Sequence, residues 1–317
     1  MRVVVVGAGL SGLVAARRLR DSGHDVVVFD KGRGPGGRLA TRRIGHARVD
    51  HGAQFFTVRD DAFDTMVNAW RSAGLVHDWC RGFGAESDGF ARYSVNGGMT
   101  ALAKHLATGI DVRCSHLVFT IRPGTDRAWQ VVIDDGTVEH ADAVIVTCPL
   151  PQSYALLVTA EVEVPEALFR TEYDRTLCLL AVLDRPSAVP APGGVQGASG
   201  FTFIADNQAK GISDVPALTL HADPAWSADH WADAPADAHS ALLQLAAPWI
   251  GDAQVTESQL KRWTFATPRT IWPDRCWQAD AARGALIIAG DAFAGPRVEG
   301  AALSGAAAAE AVLADAL

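Results

Sequence analysis

Three glycines, Gly7, Gly9 and Gly12, and an aspartate, Asp30, eighteen residues beyond the last of them have the types and spacing that hold a dinucleotide. Gly7 makes a tight turn, Gly9 admits backbone close to a pyrophosphate with no Cβ in the way, and Gly12 lets a helix pack closely on a strand. Asp30 accepts hydrogen bonds from an adenosine ribose and repels a 2′-phosphate, so the pattern suits FAD or NAD rather than NADP. The elements that must position these residues are legible around them. Residues 3–6 are four valines, Leu13, Ala16 and Leu19 follow at helical spacing, and residues 25–29 (DVVVF) form a second strand that delivers Asp30. Strand, turn and helix in this order put the pyrophosphate on a helix N-terminus, with Ser11 in the first turn.

The rest of the composition removes several function classes. The chain has 317 residues, enough for about two domains. Its net charge is −8, so there is no overall basic field to hold a nucleic-acid backbone. The five cysteines, Cys80, Cys114, Cys148, Cys178 and Cys276, form no CxxC and no even framework, which points to a reducing, cytoplasmic setting without a thiolate metal site. The ten histidines show no HExxH, and His51 beside Asp50 reads as a hydrogen-bonded structural pair. No metal is expected. Ser304-Gly305 lacks the GxSxG elbow of serine hydrolases. No uninterrupted apolar stretch reaches the ~18 residues of a membrane span, and three glycines interrupt the N-terminal run that imitates a signal peptide.

A second glycine-rich stretch follows Asp30: Lys31, then residues 32–37 (GRGPGG), then Arg38. Read as a loop, it places Gly36, Gly37 and Arg38 against the same pyrophosphate, with Lys31 beside Asp30 completing the cationic set. Residues 61–73 have helical spacing with Phe63, Met66, Val67 and Trp70 as a core stripe, and Gly97-Gly98 precede Thr100, a helix N-cap. From residue 110 short strands follow one another, closing with a buried strand at residues 141–147 that the prolines after it stop. Residues 152–277 alternate β-rich runs with helical pieces and hold six of the nine tryptophans. This predicts an antiparallel sheet with helices on one face, inserted into the first domain. At the other end, residues 284–291 (GALIIAGD) form a buried strand that brings Asp291 to its C-terminal tip, and a helix follows from near Gly300 or Ala301.

Residues 7–12 (GAGLSG), 29–38 (FDKGRGPGGR), 49–56 (VDHGAQFF) and the C-terminal Gly-Asp and helix resemble the FAD-binding amine-oxidase superfamily, and within it the bacterial renalases. The resemblance implies an α/β chain: a Rossmann-type FAD-binding domain over residues 1–58, 96–150 and 278–317, and an inserted α+β substrate domain over 59–95 and 151–277. This is the amine oxidase or p-hydroxybenzoate hydroxylase-like topology. It also implies non-covalent FAD, with Ala53 and Gln54 close to the flavin ring, Val112 near the adenine, Asp291 on the ribityl or pyrophosphate end, and Glu299, Gly300 and Ala301 where the last helix meets the flavin. The implied substrate is a dihydronicotinamide dinucleotide reduced at the wrong ring carbon, oxidised with O2 as acceptor and H2O2 as product. Such a donor needs no general base, which suits a sequence with no evident catalytic dyad.

Strand alternation over residues 261–268 puts Trp263 and Phe265 on one face and Arg262 on the other. Renalases carry a similar arginine-tryptophan strand, so Arg262, Trp263 and Phe265, with Gln54 and Glu299, are the residues expected around the reacting ring. Phe265 stands where renalases commonly have tyrosine. Glu299 is awkward near a site that gains negative charge, and either faces away or helps place substrate. Two other classes stay open: an amine oxidase, for which none of Lys31, Lys104, Lys210 and Lys261 sits in a matching motif, and a flavin-binding protein without turnover.

Overall fold

A computed structural model describes residues 1–84, 89–279 and 282–315. The run of valines at the N-terminus is buried side by side, which a strand tolerates only when both of its faces are covered, as in parallel sheets. Arg2–Val6 accordingly lies inside a six-stranded sheet between Ala143–Val146 and Asp25–Asp30. Asp111–Cys114 forms one edge, and Leu286–Ile288 leads to Trp277–Gln278 at the other. All neighbours are parallel except that last pair. A three-stranded antiparallel meander, Val118–Pro123, Trp129–Ile133 and Val138–Ala141, accompanies it.

The chain divides into two compact units: Met1–Arg38, Ala103–Glu172 and Thr267–Leu317 form one, Leu39–Leu102 and Tyr173–Ala266 the other. The second unit holds a five-stranded sheet in the order Gly194–Ala198, Phe201–Asp206, Ala217–Ala222, Tyr173–Leu183, Val255–Pro268, antiparallel as expected where its register is defined. Period-two alternation splits its long strand between two cores. Leu177, Leu179, Ala181 and Leu183 pack with Leu242, Ala246 and Ile250 of the helix Pro235–Ile250. Cys178, Leu180 and Val182 pack with Ile44, Ala47 and Val49 of the hairpin Thr41–Ile44 and Ala47–Asp50.

That second core moves the unit boundaries from those expected. Residues 39–58 belong with the antiparallel sheet because their hairpin covers one of its faces. Residues 151–172 stay with the first unit: the helix Leu150–Thr159 meets the meander, where Thr159 Oγ1 accepts from Ile121 N at 3.3 Å. The helix Asp61–Ser72 buries Phe63, Val67 and Trp70, and its N-cap is Asp60, whose carboxylate accepts from Ala62 N. No helix among the described residues is long and apolar enough to cross a membrane.

Candidate functional site

In the first unit the glycines act as their spacing implies. Gly7 adopts φ +108°, and a Cβ there would fall 2.6 Å from Thr147 Oγ1; one on Gly12 would fall 2.0 Å from Gly7 O. Both must stay bare for the turn to close. Gly9 is different: a Cβ there would meet nothing within 4 Å, and Gly9 is the N-cap of Leu10–Asp21 with no side chain capping the helix. Free N–H groups beside open space are the conditions for a pyrophosphate. Gly36 N donates to Ala8 O at 2.8 Å, and a Cβ on Gly37 would stand 3.5 Å from Gly9 Cα, so the second glycine stretch is laid along the first. Asp30 accepts from Ala8 N and Gly32 N, each at 2.6 Å, and thereby holds both loops while its remaining lone pairs stay available to a ribose. Val112 pairs in register with Val28 two residues before Asp30 and is half-buried. Lys31 Nζ donates to Gln152 Oε1 at 3.0 Å.

The C-terminal motif meets the N-terminal one by direct packing. A Cβ on Gly305 would lie 2.1 Å from Ser11 O, so the last helix presses on the first through a bare glycine. Buried Ser304 accepts from Gly290 N at 2.8 Å, fixing the strand-to-loop corner before Asp291. The Arg38 guanidinium forms a two-pronged ion pair with the Asp291 carboxylate. The two residues expected to hold one ligand from opposite ends of the chain therefore hold each other. The last helix, Val298–Ala314, starts two residues before the expected Gly300, because Gly300 must sit inside its first turn: a Cβ there would fall 1.8 Å from Gly295 O. Its N-terminus has no side-chain cap, and half-buried Glu299 and Ala301 flank Gly300 there. An uncapped helix N-terminus favours negative charge.

The second unit holds the segment 50–54 in a buried polar frame. Asp50 and Lys210, both with wholly buried side chains, form an ion pair at 2.8 Å. Lys210 Nζ also donates to Gln54 O at 3.0 Å and Gln54 Oε1 at 3.1 Å, so its three N–H groups are all engaged. Burial lowers the Lys210 pKa, and Asp50 pulls it back. Asp50 Oδ1 accepts from Thr41 Oγ1 at 2.5 Å and Met99 N at 2.9 Å. A Cβ on Gly98 would come within 2.9 Å of that oxygen and closer still to the Thr41 side chain, so Gly98 makes room for both, while the Thr100 hydroxyl donates to Leu39 O and accepts from Thr41 N. The Asp50 carbonyl accepts from Thr219 Oγ1 and Gln54 Nε2, each at 2.7 Å. The His51 carbonyl accepts from Trp263 Nε1 at 2.7 Å and from His221 Nε2 at 3.1 Å.

These bonds revise the roles expected for several residues. His51 is not paired with Asp50: its ring stacks on Trp263 with centroids 5.4 Å apart at 25°, and its buried Nδ1 finds no partner among the described residues. Burial, then the charges of Lys261 and Arg42, push its pKa down to about 4. Burial also pushes His221 down to about 4, against its bond to the His51 carbonyl. Gln54 Nε2 donates to Asp50 O and Gly52 O while its Oε1 accepts from Lys210, so it shapes the segment and has no amide donor left for a substrate; half-buried Ala53 precedes it. Arg262 is exposed, with its guanidinium over the Trp231 ring and donating to Trp231 O and Asp233 O, each at 2.9 Å. It therefore braces a loop on the face opposite Trp263. Phe265 lies edge-on to Tyr173, with centroids 5.8 Å apart. Nothing local in the sequence signals Lys210, 156 residues from Gln54.

The chain was then compared with known proteins. Residues 5–70 match the model of an NAD(P)-binding Rossmann-like domain, and residues 68–313 match that of flavin containing amine oxidoreductases. Mouse renalase (Mus musculus) is 30% identical over 165 residues, 48% of this chain and 48% of that protein. Mouse L-amino-acid oxidase is 34% identical over 100 residues, 30% of this chain and 13% of that protein. The chain thus spans about half the length, or less, of these curated relatives. Among solved structures, a putrescine oxidase bound to putrescine superposes with a TM-score of 0.74 at 14% identity, covering 99% of both chains. Cyclohexylamine oxidase from Brevibacterium oxydans IH-35A gives 0.75 at 14% identity, again covering 99% of both. At such identity the likeness is one of fold.

Proposed function

Because the chain belongs to the flavin containing amine oxidoreductases, a family of FAD-dependent enzymes, we propose that it is an oxidase of dihydronicotinamide dinucleotides reduced at the wrong ring carbon. The cradle of the first unit fits FAD: an uncapped helix N-terminus faces open space at Gly9, Asp30 offers ribose acceptors, and a second uncapped helix starts at Val298. FAD held there would supply the two-electron acceptor between the dihydronicotinamide and O2; in the overall balance, substrate, O2 and a proton would give NAD(P)+ and H2O2. The protein's residues bind and orient. Asp30 would hold the ribose, the turns of Gly9 and Gly37 the pyrophosphate, and the N-terminal turn at Glu299, Gly300 and Ala301 the flavin end.

The observation that carries the reading is the His51–Trp263 stack. It offers flat aromatic surface with no base attached: His51 stays neutral but has its affinity for a proton reduced, and the neighbouring Asp50 carboxylate is committed to Lys210, Thr41 and Met99. An already electron-rich dihydropyridine loses hydride without prior loss of a proton. An amine must first be neutral, and this wall provides nothing to take its proton. The amine-oxidase reading rests on the family and on the putrescine and cyclohexylamine oxidases that share the fold. An anaerobic titration watched at flavin wavelengths separates the two. Fast bleaching by 2- or 6-dihydro isomers of NAD(P)H is expected, with slow or no bleaching by primary amines or ordinary NADH, and one H2O2 per turnover in air. Rapid reduction by a simple amine and none by either isomer would reverse the ranking.

A further inference from the structure

Strand register assigns charge to the face that carries Trp263. Along Val255–Pro268, Leu260 packs into the core under the helix Pro235–Ile250 and Arg262 turns to Trp231, while Trp263 packs into the opposite core beside Cys178 and Leu180. Lys261, two residues before Trp263, shares its face and stands roughly 7 Å along the strand. In the hairpin, Arg42 stands opposite Val49 as Ile44 stands opposite Ala47. Directly opposed residues of an antiparallel pair share a face, and Ile44, Ala47 and Val49 all pack into the Trp263 core. Arg42 thus points to the same side, and among the described residues it makes no hydrogen bond or ion pair. Both cations act on the His51 ring, and Lys261 also acts on Cys178. Of the carboxylates near this face, Asp50 is paired with Lys210, and Glu257 stands four residues along the strand from Lys261, at the Gly45 turn.

We propose that Arg42 and Lys261 form an anion seat beside the His51–Trp263 stack that takes the pyrophosphate of a dinucleotide substrate. This deepens the proposed function and rests on it. A ring laid against the stack would leave its phosphates within reach of two cations from two different elements, one of them a guanidinium suited to phosphate oxygens. The same cations oppose the approach of a protonated amine. Arg262, adjacent in sequence, takes no part.

The test uses the FAD-loaded enzyme with Arg42→Gln, Lys261→Gln and, as control, Arg43→Gln, whose exposed side chain projects from the other face of the hairpin. Flavin content equal to wild type qualifies each variant, and the likewise charge-removing Arg42→Met and Lys261→Met replace any that fails and are read by the same criteria. KM for the dinucleotide isomers should rise at least tenfold in each Gln variant, with kcat within threefold. KM for a phosphate-free 1-methyl-dihydronicotinamide should not move. Inorganic pyrophosphate should compete with substrate in wild type and Arg43→Gln, and at least tenfold more weakly in the two Gln variants. Unchanged KM and unchanged pyrophosphate inhibition in both Gln variants would overturn the seat, as would no pyrophosphate effect on wild type. Calorimetric pyrophosphate binding that Arg42→Gln or Lys261→Gln abolishes, in an enzyme that oxidises no dihydronicotinamide, would keep the seat and sink the reaction.

Discussion

Lys210 is the residue whose environment asks most of the protein. Its ammonium is wholly buried, and its stability there depends on the Asp50 charge and the two Gln54 oxygens. Breaking such a pair by removing one partner leaves a buried charge uncompensated, at a cost of about 3–5 kcal/mol. Lys210→Met should lose stability on that scale in urea unfolding. Adding Asp50→Asn should recover more than half of the loss, because the remaining oxygen can still accept from Thr41 and Met99. A single variant within 1 kcal/mol of wild type, by the same measure, would refute the frame. His221 yields a pH prediction. Its folded pKa of about 4 lies below the unfolded value near 6.5, so the unfolded chain binds more protons between these limits. Its contribution is fully present above pH 6.5 and is lost as pH falls toward 4, by about 3 kcal/mol. Replacing His221 with Gln should flatten that part of the stability curve; an unaltered slope would assign the loss elsewhere.

At the scale of elements, the two terminal motifs differ in why they need glycine. Gly9 faces open space, while Gly305 touches Ser11 O across the helix crossing. Gly9→Ala should therefore leave the melting temperature of the flavin-free protein within about 1 °C of wild type, since surface changes stay within ~0.5 kcal/mol, and weaken FAD binding at least tenfold. Gly305→Ala should destabilise the flavin-free protein itself by about 1–3 kcal/mol through overpacking. Equal effects of both on the flavin-free protein would mean the helix crossing has been misjudged. The hairpin Thr41–Ile44 and Ala47–Asp50 teaches the converse lesson. Its residues fall within the span 1–58 expected in the FAD-binding domain, yet its apolar face buries against the antiparallel sheet.

For the whole molecule, the family indicates FAD, and non-covalent attachment is the expectation, because the motifs expected to hold it are backbone turns, an aspartate and helix ends, with no recognised cysteine or histidine attachment motif. Acid or heat should release intact FAD into the supernatant. Flavin that stays with the denatured chain would show a covalent link. A colourless preparation that cannot be loaded would contradict the cradle itself.

The nucleotide half of the site was legible because its information is local. Gly7, Gly9, Gly12 and Asp30 lie within one strand-turn-helix-strand unit, and each glycine meets a requirement set by backbone within a few residues or by a neighbouring strand. The C-terminal strand, Asp291 and its helix were legible for the same reason. Periodicity also separated Trp263 from Arg262, since alternation is a property of a single strand. It did not say which face is covered by what. That choice came from the hairpin closing over Cys178 and Leu180, more than a hundred residues away in sequence, and from the helix over Leu179, contacts that no local pattern encodes. The Asp50–Lys210 pair, the consumption of Gln54 and the side to which Lys261 turns are decided there. A buried charge leaves no mark in sequence spacing, because its partner is chosen by sheet register and by the exclusion of water.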